Sequence, residues 1–260
     1  MGNFVPGLVS VTFRKLAVEE VVSLAGESGL KSIEWGGDIH VPHADLVKAK
    51  HARELCDNAG LTVSAYGSCY RAWASEKNGV DFSAIIDTAR ELASDTIRVW
   101  AGNLDSNAAP PGFREAVIAD LKRICQLAAQ ADCTISLEFH GGTLTDSADS
   151  TCQLIADVAA PNLTTYWQPP VGMPPAQCVA SLRKVLPYTR NLHVFHWWPD
   201  HHHRLPLADG SGPWMDYLKL AADPQKPRHA SLEFVRGDDP NQLRADAKTL
   251  LHLLNTVASV

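Results

Sequence analysis

The sequence predicts an α/β protein, a single (β/α)8 (TIM) barrel over residues 1–260, on three observations. Short β-branched runs alternate with amphipathic helical stretches eight times. No composition shift or Ser/Gly linker interrupts the alternation, which implies one parallel sheet covered by helices. Eight repeats in 260 residues fit a closed barrel better than an open doubly wound sheet. No GxGxxG follows the first strand either: Val11-Thr12-Phe13-Arg14-Lys15 gives a pyrophosphate no close backbone approach, which argues against a nicotinamide cofactor.

The strands read as Leu8 to Phe13, Ser32 to Gly37, Thr62 to Cys69, Thr96 to Gly102, Thr134 to His140, Leu163 to Pro169, Leu192 to Trp198 and Ala230 to Val235. A helix follows each. In the last, Leu243, Ala247, Leu250, Leu251, Leu254 and Val257 form one apolar stripe at a 3.6-residue period. Val117, Leu121, Ile124, Cys125 and Ala128 repeat that spacing, and Val18, Val21, Val22 and Ala25 do so over a shorter stretch. The longest connection after a strand, Pro199 to Gly212, reads as a lid or pocket wall.

Composition narrows the function classes. With 23 Lys+Arg against 29 Asp+Glu the net charge is −6, and no basic run is present, so nucleic acid is not an expected partner. The apolar runs are strand-sized, too short to span a membrane. No charged n-region precedes an apolar stretch, and Met1-Gly2 is followed by Pro6 where a myristoylation motif carries Ser or Thr, so a cytoplasmic protein is expected. The cysteines at 56, 69, 125, 133, 152 and 178 lack CxxC spacing and read as free, inert thiols.

Active sites of such barrels sit at the C-terminal strand ends. Strands five to eight place Glu138, Gln168, His196 and Glu233 there, two carboxylates, an amide and an imidazole. Each alone is more often a satisfied polar group at a barrel mouth. A Glu inside runs as apolar as Ser-Leu-Glu-Phe is costly unless paired or metal-bound, and it occurs twice. Together the four suit one divalent ion, Mn2+, Mg2+ or Co2+, with positions left for water or substrate. The tryptophans, among them Trp35, Trp100, Trp167 and Trp197, all read as strand-end or loop residues with none inside a helix, a rim suited to the C–H faces of a polyhydroxylated ligand. Arg204 in the long loop and His140 beside Glu138 are further candidates for contacting substrate, and His201-His202-His203 reads mainly as exposed loop.

Five segments carry a family resemblance: Ile33-Glu34-Trp35-Gly36-Gly37-Asp38, Ile97-Arg98-Val99-Trp100-Ala101-Gly102, Leu137-Glu138-Phe139-His140-Gly141-Gly142, His193-Val194-Phe195-His196 and Leu232-Glu233-Phe234-Val235. With them the chain resembles the xylose isomerase-like barrels, the sugar phosphate isomerase/epimerase superfamily, over essentially its whole length. The resemblance implies one divalent ion on Glu, Asp, His and Glu, carried over to Glu138, His196 and Glu233, with Gln168 where the family has Asp; Mn2+ is the expected ion, with Mg2+, Co2+ or Zn2+ as alternatives. It implies a ketose or keto-polyol isomerase or epimerase working through a metal-stabilised cis-enediolate, with Glu138 and Glu233 as the acid/base pair. Arg204 would orient the substrate. The alternatives are a metal-dependent lyase, either dehydratase or decarboxylase, on a keto-sugar or sugar acid, and a non-catalytic sugar-binding barrel. A DNA-repair role, which the superfamily also contains, would need more His and Asp/Glu at the strand ends. A small carbohydrate is the expected partner, with homo-oligomerisation left open.

Overall fold

The computed structural model describes residues 4–259; the Met1-Gly2 start lies outside them. Eight parallel strands close into a barrel: β1 (Phe4–Val9), β2 (Ser32–Gly36), β3 (Thr62–Arg71), β4 (Thr96–Trp100), β5 (Thr134–Leu137), β6 (Leu163–Trp167), β7 (Thr189–Val194) and β8 (Arg228–Leu232). They pair in chain order, and β8 closes on β1 with Gly7 opposite Ser231. The outer helices are α1 (Val18–Glu27), α2 (Leu46–Asn58), α3 (Phe82–Glu91), α4 (Phe113–Ala129), α5 (Ala148–Val158), α6 (Pro175–Val185), α7 (Ser211–Ala221) and α8 (Pro240–Ala258). Side chains that accept backbone N–H groups start several of them: Asp45 from Lys48, Asp81 from Ser83, Ser147 from Ser150 and Asp239 from Asn241.

Strand parity sorts the chemistry. Ile33, Trp35, Ile97, Val99, Ile135, Leu137, Leu192, Val194 and Leu232 belong to the apolar core shared with the helices. Their alternates Ser32, Glu34, Arg98, Ser136, Asn191, His193 and Ser231 are buried polar residues that occupy the barrel interior. Gly7 permits this crowding, since a Cβ there would come within 2.6 Å of both Ser32 Oγ and Ser231 Oγ. The α4 stripe is buried as its periodicity predicts, whereas in α8 Leu253 is buried and Leu251 only partly so.

Three expectations are corrected. The first strand runs Phe4–Val9 and not Leu8 to Phe13, because Ser10–Phe13 winds into a 3-10 turn. Ser10 Oγ and Thr12 Oγ1 there accept the backbone N–H groups of Gly36 and Phe234, which ties the turn to two other strand ends. The segment Pro199 to Gly212 walls cavities through His201 and Gly210 but is not without regular structure: His196–Trp197 pairs antiparallel with Arg204–Leu205, and a 3-10 turn, Leu207–Gly210, leads into α7. Trp214 lies inside α7, buried against Trp167 and Tyr217, so the tryptophans do not all avoid helices.

The opposite end of the barrel opens on a cavity of about 820 Å3 bordered by Asp95, Arg190, Asn191 and His229. Burial, reinforced by the nearby Arg190 charge, pushes the His229 imidazole down to about 4. Its neutral form is the folded one, so the stability it permits is complete above the ordinary histidine value of about 6.5 and is lost as pH falls toward 4. Urea denaturation is expected to show up to about 3 kcal/mol less stability from this ring at pH 4 than at pH 7. His229→Gln should flatten that slope; an unchanged slope contradicts the assignment.

Candidate metal and active site

The strand ends bring together a buried ionic cluster. Glu138 and Glu233 lie one residue beyond β5 and β8, where each extends the parallel ladder by donating its N–H, Glu138 to Val99 O (2.9 Å) and Glu233 to Val194 O (3.0 Å). Inward parity then carries their carboxylates into the barrel beside His193 of β7, and ligand atoms of Glu138, His193 and Glu233 lie within 4.8 Å of one another. Oxygens or nitrogens on opposite sides of one ion stand about 4 Å apart, so a small closure suffices.

His193 orients the cluster. Its Nε2 faces Glu34 Oε2 at 3.3 Å, while Nδ1 faces Gln168 Oε1 at 3.1 Å and Glu233 Oε2 at 3.3 Å. With the neutral ring donating Nε2–H to Glu34, the Nδ1 lone pair faces Glu233 and the Gln168 amide, where it is placed to take a cation. In the metal-free protein a proton on Nδ1 fills that role. Burial opposes protonation, but Glu233 and Glu34 outweigh it and push the imidazole up to about 10. The Tyr166 ring packs edge-on against His193 at 4.9 Å and its hydroxyl accepts from Asn191 Nδ2 at 3.0 Å, which fixes the imidazole plane.

Arg98 of β4 bridges two carboxylates. Its Nε donates to Glu34 Oε1 at 2.5 Å and its Nη1 to Glu138 Oε2. Gly67 makes the room, because a Cβ there would stand 2.6 Å from Arg98 Nη2. Burial acts to raise Glu34, yet Arg98 and His193 together bring it down to about 2. Burial raises Glu138 above the usual carboxylate range, only partly countered by Arg98. It acts likewise on Glu233, but His193 and Arg98 prevail and hold that carboxyl below its ordinary value. With Glu138 and Glu233 ionised, as ligation of a metal requires, and His193 neutral, the three carboxylates and Arg98 carry −2, which one divalent ion cancels.

A mouth cavity of about 540 Å3 adjoins the cluster, walled by His140, Asp146, Gln168, Trp197 and His201. Trp100 packs against His140 with the rings tilted and their centroids 4.7 Å apart, and Arg71 lies over the Trp100 ring at 4.2 Å. Among the candidates read from sequence, Glu138, Gln168 and Glu233 therefore converge, and His140 and Trp197 line the mouth. His196 does not join them: it stands three residues past His193, of opposite parity, in the hairpin and against Gly210. The histidine of the cluster is His193. Trp35 and Trp167 are fully buried under the helices, Trp35 against His40 and Trp167 against Trp214 and Tyr217, out of reach of any ligand. Arg204 pairs with Asp238 at 2.7 Å and lies over Trp197 and Phe234, at the rim. Glu34, Arg98 and His193 were missed, although each is a polar residue between apolar neighbours at the inward phase of its strand.

Residues 22–253 match the family model described as the xylose isomerase-like TIM barrel. A 3-dehydroshikimate dehydratase of Bacillus anthracis is 27% identical over 176 residues, 60% of this chain and 58% of that protein, so the match spans less than two thirds of the relative. The crystal structure of a probable 3-DHS dehydratase from the same organism superposes with a TM-score of 0.78 at 21% identity, covering 94% of this chain and 98% of the other. D-psicose 3-epimerase from Clostridium cellulolyticum H10 gives a TM-score of 0.72 at 12% identity over 97% and 98% of the two chains.

Proposed function

Because the chain belongs to the xylose isomerase-like TIM barrel family, we propose that it is a divalent-metal-dependent isomerase or epimerase of a ketose or keto-polyol. The observation that carries this reading is the grouping of ligand atoms of Glu138, His193 and Glu233 within 4.8 Å of one another, with Gln168 Oε1 3.1 Å from His193 Nδ1. Two carboxylates, an amide oxygen and an imidazole suit Mn2+ best among Mn2+, Mg2+, Co2+ and Zn2+. A bound ion would supply Lewis-acid polarisation of the substrate's oxygens.

The remaining work falls to side chains. Glu233, which the Arg98 guanidinium helps keep ionised, takes the proton from the carbon beside the substrate carbonyl. Glu138, whose carboxyl burial keeps toward its acid form, returns a proton to the other face. Arg98 opposes the negative charge that develops between them, Glu34 fixes His193 and Arg98, and His140 and Trp197 hold the polyol at the mouth. Six free cysteines fit a cytoplasmic enzyme.

The dehydratase relative favours a second reading, in which the same carboxylates remove the α proton and protonate a departing hydroxyl. Incubation in D2O with Mn2+ and a panel of ketoses plus 3-dehydroshikimate separates the two. Epimerisation gives an isomer carrying one deuterium, whereas lyase action gives a product lighter by water. Retained metal with neither exchange nor water loss contradicts both and leaves a sugar-binding barrel.

A further inference from the structure

His196, excluded from the ionic cluster, belongs to a second cavity that the reaction above does not use. About 320 Å3 of space lies between the segment after β6 and the hairpin after β7, walled by Met173, Phe195, Trp197, Trp198, Trp214 and Tyr217. This is the size of a small-ligand site at its lower limit, enough for one ring with a modest substituent. Its aromatic walls suit a flat ring by stacking and edge contacts. Its polar atoms are nearly all committed: Trp214 Nε1 donates to Phe195 O at 2.7 Å, Trp197 Nε1 to Phe234 O at 3.3 Å, and Cys178 Sγ to Met173 O at 3.4 Å.

Two groups among the described residues are not: the indole N–H of Trp198, on an exposed ring, and the His196 imidazole. The imidazole is held against Gly210, where a Cβ would come within 2.6 Å of Nδ1, with Asp209 and Asp246 close enough to act on its charge. No charged side chain lines the cavity, and burial pushes the ring's pKa down, so the handle offered is neutral. Pro169, Pro170 and Trp197 are shared with the mouth cavity, which places this space directly behind one wall of the mouth.

We infer that this cavity binds a neutral aromatic ring bearing one hydrogen-bonding group, a phenol or aryl ether, with His196 as the partner of that group. The ring comes either as a free phenol or as the aryl end of a larger carbohydrate that reaches the mouth past Trp197. Only the second source rests on the function proposed above.

The test follows the tryptophan indole N–H resonances of the full-length, metal-free protein during titration with phenol and, separately, with toluene. Phenol is expected to shift the Trp197 and Trp214 signals saturably and to bind at least about 5-fold tighter than toluene, the worth of one hydrogen bond. His196→Phe should reduce phenol to the toluene level, and His196→Gln, which keeps a hydrogen-bonding group, should restore part of the difference. No saturable shift, equal affinity for phenol and toluene, or an unchanged phenol affinity in His196→Phe overturns the inference. Phenyl β-D-glucopyranoside then separates the sources: tighter binding than phenol when Mn2+ is present identifies an aryl carbohydrate, and equal or weaker binding identifies a free phenol. Since the phenol titration uses no metal, a failure of the metal site leaves its result intact.

Discussion

Arg98→Met is expected to destabilise the metal-free protein by about 3–5 kcal/mol, the loss that follows when one partner of a buried ion pair is removed. Arg98 is 3% exposed, and its guanidinium is bonded to Glu34 and Glu138, which are both buried. Methionine fills much of the volume but leaves two carboxylates facing His193 alone. For a chain of this size the melting temperature should fall by roughly 10 °C. The sign of the pH response follows from Glu138. Its carboxyl is already raised by burial, so without Arg98 the folded state binds protons still more readily than the unfolded chain, and the variant regains stability as pH falls. Glu34→Gln combined with Arg98→Met should cost less than the sum of the single changes, because the orphaned charge is removed with its partner. A melting temperature within about 2 °C of wild type would show that the Glu34–Arg98–Glu138 bridge is not a feature of the folded protein.

The second large effect separates the two histidines of β7 and its hairpin. His193→Ala is expected to weaken Mn2+ binding more than about 100-fold, beyond what loss of a residue that merely orients a ligand costs. His196→Ala should leave it within about 3-fold, since that ring faces the aromatic cavity. Isothermal titration with Mn2+ reads both. Equal loss in the two variants, or loss in His196→Ala alone, contradicts the site as drawn here.

That pair also shows how far the sequence could be read. The barrel was legible because eight β/α repeats leave one economical closure, and because Glu138 and Glu233 sit in runs too apolar to hold an unpaired carboxylate. The choice of histidine was not legible from family position. Parity decides it: Asn191 and His193 share the inward phase while Leu192 and Val194 face the helices, and the strand ends before His196 can follow. Trp35 and Trp167 mislead for the same reason, since a residue near the mouth in sequence still points outward when its phase is odd. Glu34 and Arg98 lie in two of the motif segments, but their pairing spans 64 positions and exists only because Gly67 of the intervening strand lacks a side chain.

Elemental metal analysis tests the central claim most directly, on protein purified without a polyhistidine tag and dialysed against Mn2+, comparing wild type with Glu233→Gln. About one equivalent in the wild type and a loss of that ion in the variant is the predicted result. No metal in either protein would contradict it, leaving Glu138, His193 and Glu233 as an internal ion network whose charge Arg98 and a proton on His193 offset in part.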